Sequence, residues 1–173
     1  MRSSSAMRDD RDTAGDQEAD AASTFLTFDL GAQSLGVEVR HVREILDMQK
    51  ITRLPNAPHD VHGVVDVRGA SVPIVDLKSR LGVPPSELGP DARIVVLEVE
   101  AGAARQPIGI LADRVRNVDL IGDDEIEPAP GAEIGAWDAS TLRGLVRRDG
   151  DLIVLVDLRK VFGGERRGLP EFC

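Results

Sequence analysis

Aromatic side chains are nearly missing from this 173-residue chain: four Phe, one Trp and no Tyr make up 3%. Val, Ile and Leu therefore carry most of a hydrophobic share of 42%, a set that suits pleated, closely packed β-structure around a real core. Cysteine occurs once, as Cys173, so no disulfide can form within the chain and a reducing compartment is expected. Basic residues are outnumbered, giving a net charge of −9, which speaks against nucleic acid or an anionic membrane surface as partner. Residues 1–22 contain no apolar signal-peptide core, and no apolar run approaches the roughly 20 residues that span a bilayer. A cytoplasmic protein without membrane insertion is the expectation.

The marks of an enzyme are also missing. There is no glycine-rich phosphate loop followed by Lys, no G-x-G-x-x-G after a strand, no G-x-S-x-G elbow and no H-E-x-x-H. Cys173 has no activating neighbour. His59 and His62 in "HDVH" are the one pair that invites a metal, with Asp60 between them, but a third and fourth ligand are not in sight. The bland reading, a polar loop entering a strand, is preferred; the rival is a small metal-dependent enzyme using His59 and His62. "GDDEIE" (122–127) has calcium-like composition without the spacing or glycine of a calcium loop, so it reads as a solvated acidic turn. Asp76 and Asp157 could pose as a catalytic pair, yet each follows an apolar strand and opens a short helical turn, where an N-cap accounts for it. No catalytic residue, cofactor or metal is assigned.

Residues 1–22 are polar and small, too poor in apolar surface to offset chain entropy, and are expected to be a disordered tail. Alternation then begins: Leu26, Phe28, Leu30 and, after a turn, Leu35, Val37, Val39 predict a first hairpin. "RHVREIL" is ambiguous between strand and one helical turn. A proline-punctuated loop leads to a second hairpin, Val61–Arg68 and Ser71–Leu77, predicted to turn about Gly69–Ala70. "DLKSRLG" predicts a helical turn opened by Asp76 and stopped by Gly82. "VPPSELGPDA" reads as a joint, after which the strands resume and end in a hairpin turned by Asp149–Gly150.

What the chain does have is a repeat. "GVVDVRGASVPIVDLKSRLG" (63–82) and "GLVRRDGDLIVLVDLRKVFG" (144–163) are identical at seven of twenty ungapped positions, 81 residues apart. "GVEVRHVREI" (36–45) aligns with "GILADRVRNV" (109–118) at an offset of 73, and the acidic loop accounts for the eight extra residues between the two matches. Two copies of a five-strand pattern, each closed by a helical turn, imply two similar small barrels.

The stretches "FLTFDLGAQSLGVEVRHVREIL", "ITRLPNAPHDVHGVVDVRGASVPIVDLKSRLG" and "DLIGDDEIEPAP" resemble the bacterial chemotaxis coupling family, CheW, over about Thr24 to Phe162. The specific part is V-x-E-I, then L-P-x-x-P, the R-G hairpin and the P-h-h-D-L strand, in order. Leu35, where the family usually has an aromatic, and the closing "GGERRGLPEFC" depart from the pattern. The resemblance implies a mainly β protein, two pseudo-symmetric SH3-like five-stranded barrels with short helical turns and a hydrophobic groove between them. It places a domain of two intertwined halves at 23–162, a copy boundary near 83–92 and a flexible tail at 163–173. It implies a non-catalytic adaptor, monomeric outside the signalling array, that joins the regulatory domain of the histidine kinase CheA to the cytoplasmic tips of chemoreceptors, in the cytoplasm at membrane-associated arrays. By motif, the receptor-facing residues are Val42, Glu44, Ile45, Gly63, Arg68 and Gly69, with Glu44 and Arg68 a plausible ion pair. A CheW-like scaffold of a non-flagellar pathway, serving surface motility or development, is the alternative.

Overall fold

Short apolar runs separated by turn residues become strands, and a computed structural model describes them over residues 22–101, 104–128 and 141–162. In chain order they are β1 (Ala22–Leu30), β2 (Gln33–Glu38), β3 (Val42–Asp47), β4 (Val61–Val67), β5 (Ala70–Val75), α1 (Leu77–Leu81), β6 (Arg93–Ala101), β7 (Ala104–Ala112), β8 (Arg114–Gly122), β9 (Leu142–Arg148), β10 (Asp151–Val156) and α2 (Leu158–Phe162). Ala22, placed in the tail by composition, already pairs with Gly122. The expected tail over 1–21, the later part of the acidic loop and the segment 163–173 lie outside the described residues.

The ambiguous stretch at 40–46 resolves into a single 3-10 turn over Val39–His41 followed by β3. The second hairpin turns one residue earlier than expected, at Arg68–Gly69, both with positive φ (51° and 87°). Arginine carries a Cβ penalty in that conformation and is no usual turn signal, which is why the pattern pointed to Gly69–Ala70 instead. Its counterpart, Asp149–Gly150 (φ 52° and 82°), falls where the sequence put it. α1 is capped as expected: the Asp76 carboxylate accepts from the Ser79 amide at 3.2 Å, and Gly82 takes the left-handed conformation at its end. Asp157 does the same for α2 through the Arg159 amide at 3.1 Å.

Two five-stranded sheets result, ordered β3-β6-β7-β5-β4 and β9-β10-β2-β1-β8. Neither is built from one sequence copy. β3, β4 and β5 of the first copy complete their sheet with the β6–β7 hairpin of the second, and the second copy takes β1–β2 in exchange. Matching parallel pairs, β2 with β10 and β5 with β7, stitch in the exchanged hairpins. The apolar side chains follow the same logic. Each sheet has a small interior of its own: Phe25, Ile121, Val146, Ile153 and Leu155 in one, Val65, Val72, Ile74, Ile94 and Val96 in the other. The largest cluster draws from both sheets, Leu26, Phe28 and Val154 meeting Val75, Leu97 and Ile108, so the two halves share one core. Sharing a core and exchanging hairpins makes them one cooperative unit.

The two helical turns meet across this shared core through Arg80. Its side chain is 6% exposed, pairs with Asp60 at 2.9 Å, donates to the carbonyl of Val161 at 3.2 Å and lies 4.8 Å from the centre of the Phe162 ring. Val161 is the residue that aligns with Arg80 in the repeat, so one copy holds the other at its own equivalent position. Arg80→Ala strands a carboxylate and a carbonyl that are mostly shielded, and should cost about 2–4 kcal/mol. Thermal melting should fall by roughly 5–15 °C. A change smaller than the effect of an ordinary surface substitution would show that the latch is not needed.

Candidate functional site

The family-like residues converge on one end of the first sheet. β3 and β4 are its two edge strands; among the described residues no further strand pairs with either, and β4 is bonded on its outer side at Val64 by the backbone of Thr52. Side chains tie these edges together instead of a ladder. The Arg68 guanidinium forks onto Glu44 in β3, one nitrogen 3.1 Å from Oε1 and the other bonded to Oε2. The pair forecast from the sequence is therefore formed. Glu44 holds the guanidinium proton more tightly than usual, first through that hydrogen bond and then through its charge. Gly69 completes the turn, its amide bonded to the Asp66 carboxylate at 3.0 Å.

Around the pair, β3 presents alternating faces. Val42 packs against the shared core, Leu46 against the first sheet's interior, and Ile45 points outward, 41% exposed, with Met48 following at 38%. Gly63 is buried, not presented. The backbone of Ile51–Thr52 crosses it, bonded to Val64 in both directions at 2.8 and 2.9 Å, and a Cβ at Gly63 would lie 2.2 Å from the Thr52 oxygen. So Ile45, Arg68 and Gly69 are exposed, Glu44 is half-buried under the Arg68 fork, and Val42 and Gly63 lie further in.

The second sheet repeats the plan with different chemistry. Gly144 is crossed by Glu127 as Gly63 is by Thr52. Its edges are tied by Arg148, which donates to the Leu120 carbonyl at 2.8 Å and pairs with Glu125 at 2.7 Å. Arg143 pairs with Asp123 and Arg147 with Glu127, both at 3.0 Å, so three arginines of β9 pair with three of the four acids of "GDDEIE". The position matching Ile45 is Val118, and it is exposed at 60% with Leu120 beside it at 64%. The sequence reading named no residue there, although the alignment of the two copies already set Ile45 against Val118.

The metal reading loses its partners to other work. Asp60 is committed to Arg80, and His62 faces Asp76 at 3.9 Å. Among the described residues no three His, Cys, Asp or Glu gather as a metal would require. Among them, too, no helix is long and apolar enough to cross a membrane.

Two curled five-stranded sheets with a shared core and edges tied by side chains define an SH3-like β scaffold. The CheW-like domain family matches residues 24–166, and the chain belongs to that family. It is 34% identical over 143 residues to the chemotaxis protein CheW of Rhizobium meliloti, covering 83% of this chain and 89% of that one. It is 32% identical over 127 residues to protein FrzA of Myxococcus xanthus, covering 73% and 76%. The crystal structure of the scaffolding protein TtCheW from Thermoanaerobacter tengcongensis superposes with a TM-score of 0.74 at 25% identity, covering 86% of this chain and 94% of that one. The chain is thus a chemotaxis scaffold and not an enzyme.

Proposed function

We propose that this chain couples chemoreceptors to the histidine kinase CheA, as a monomeric cytoplasmic bridge recruited to receptor arrays. The observation that carries this reading is that two sheets sharing one core each leave apolar side chains exposed on an edge strand. Ile45 flanks the Glu44–Arg68 pair on the first sheet, and Val118 with Leu120 stands at the matching place on the second. Because the sheets share a core, a load on one face is transmitted to the other without a hinge. The receptor tip takes the first face: apolar contact at Ile45 supplies buried area, and the arginine fork fixes register. Val42, Gly63 and Gly69 serve that face by packing, by seating Ile51–Thr52 and by turning the hairpin. The kinase regulatory domain takes a surface away from Arg68. Coupling then requires that the two partners be held in geometries that differ between signalling states, with no chemistry by the bridge.

The likeness to FrzA supports a second reading, a scaffold of the same design serving another chemosensory pathway through its own kinase. Affinity capture with the tagged chain separates the two. One chemotaxis kinase and one receptor class should be recovered together; a different kinase would favour the second reading, and neither partner would sink both.

A further inference from the structure

Two small cavities occupy equivalent places in the two halves, one of about 120 Å³ beside α1 and one of about 40 Å³ beside α2. Asp76, Leu77 and Lys78 of the first match Asp157, Leu158 and Arg159 of the second at the offset of 81. At the first, charge is neutralised within the chain. Asp113, in the crossover from β7 to β8, accepts from the Gly31 amide and lies 3.2 Å from the Lys78 ammonium, which also reaches Ser86 Oγ at 2.9 Å. Both members of this pair are largely shielded, at 11% exposure for Lys78 and 18% for Asp113.

The residue matching Asp113 at the offset of 73 is Arg40, and the residue matching Lys78 at 81 is Arg159. An acid–cation pair in one half is thus a cation–cation pair in the other. Both arginines border the second cavity, and both are 65% exposed. The acids nearby leave them incompletely matched. Glu38 bonds Arg40 through Nε alone and is shared with Arg143, while Asp157 caps α2 and stays 4.0 Å from Arg159, beyond hydrogen-bond distance. Among the described residues no carboxylate bridges the two arginines as Asp113 bridges Gly31 and Lys78. The lining sets three arginines against two acids, in a chain whose net charge is −9. His41 beside them is held below the usual histidine range by burial first and then by Arg40, with Arg159 acting the same way and Glu38 and Asp157 opposing.

We propose that the notch between Arg40 and Arg159 is a docking site for an acidic side chain, Asp or Glu, of a partner protein. The incoming carboxylate takes the place that Asp113 fills from within the chain in the other half, which favours a carboxylate over a phosphate. About 40 Å³ is room enough, since one water needs roughly 10–15 Å³. Donors remain for it on both guanidinium groups, each of which carries five N–H bonds. The rest of the acidic surface repels such a partner, so charge directs it here. The site uses neither Glu44 nor Arg68 and therefore stands or falls separately from the receptor face.

Titration of the full chain with a hexaglutamate peptide, read by the arginine Nε–H resonances and the His41 imidazole, tests the site. Arg40 and Arg159 should shift saturably with a Kd on the order of 1 mM. Arg147, equally exposed but paired with Glu127, should stay in place, and hexaglutamine should move nothing. The His41 pKa should rise as the bound carboxylate offsets the two arginines. Arg159→Glu offers Arg40 an acid from within the chain, so it should fold as wild type and abolish the Arg40 shift, while Arg159→Lys keeps binding within a few-fold. Shifts spread evenly over the exposed arginines, or none at tenfold the expected Kd, would overturn the proposal. A stronger response to inorganic phosphate than to the peptide would overturn it too, by assigning the notch to a phosphoryl group.

Discussion

Arg68→Glu is expected to leave the chain folded and bound to the kinase while removing receptor control of kinase activity. The side chain is 70% exposed at a hairpin tip, and nothing in the core rests on it. Its backbone sits at positive φ, a conformation that glutamate tolerates no better and no worse than arginine. The melting temperature should therefore move by no more than about 2–4 °C. Recognition is another matter. The substitution removes the donor fork and sets a new carboxylate against Glu44, so the hairpin tip loses its tie to β3 and the face beside Ile45 loses its fixed charge. Like charges forced together at an interface cost affinity and specificity far more than an exposed pair adds to stability. Glu44→Arg alone should behave similarly, and the double swap should recover part of the loss by restoring the tie in reverse. Kinase assays in a reconstituted array decide it: receptor-controlled activity at the wild-type level with Arg68→Glu would return Arg68 to an ordinary surface residue.

Gly63→Ala should have the largest effect on the fold of any single methyl group. Its Cβ would lie 2.2 Å from the Thr52 oxygen and 2.8 Å from the Thr52 carbonyl carbon, and backbone cannot step aside as a side-chain tip can. Relief requires lifting Ile51–Thr52 off β4, which breaks both Thr52–Val64 hydrogen bonds, and the positive φ of 148° adds its own penalty. Together these amount to about 3 kcal/mol or more, or a fall in melting temperature of roughly 6–12 °C. Gly69→Ala is the control. Its φ is also positive, 87°, but nothing lies within 4 Å of its Cβ, so only the conformational penalty of about 1 kcal/mol applies. Equal losses for the two variants would show that the crossing segment yields freely. Any receptor defect in Gly63→Ala would then trace to the displaced Ile51–Thr52 segment and not to a contact made by Gly63 itself.

These two residues also show what a sequence discloses. Glu44 and Arg68 could be paired on paper because each motif names its own strand, and the fork needs only that the two strands share a barrel. Asp76, Asp157, Gly82 and Asp149–Gly150 were legible for the same reason: a cap or tight turn is decided within four residues. The exchange of hairpins was not legible, because alternation reports which residues face inward and says nothing of which strand lies alongside. Nor was the burial of Gly63, which depends on a segment eleven residues upstream folding back across it. Arg80 looked like any charged residue in a one-turn helix until the Val161 carbonyl and the Phe162 ring came beside it from the other copy. The acids at 123–127 do form a turn, yet the β9 arginines that pair with Asp123, Glu125 and Glu127 lie about twenty residues away, and only the folded edge brings them together.

The central claim is that one rigid chain holds two partners at once, and co-sedimentation tests it most directly. Receptor-bearing membranes, kinase and this chain are mixed, spun, and the kinase in the pellet is measured. The bridge predicts that kinase pellets with the membranes only when the chain is present, and that Arg68→Glu leaves kinase in the supernatant while still binding it in solution. Kinase that stays in the supernatant with the wild-type chain present, or pellets equally well without it, would contradict the account.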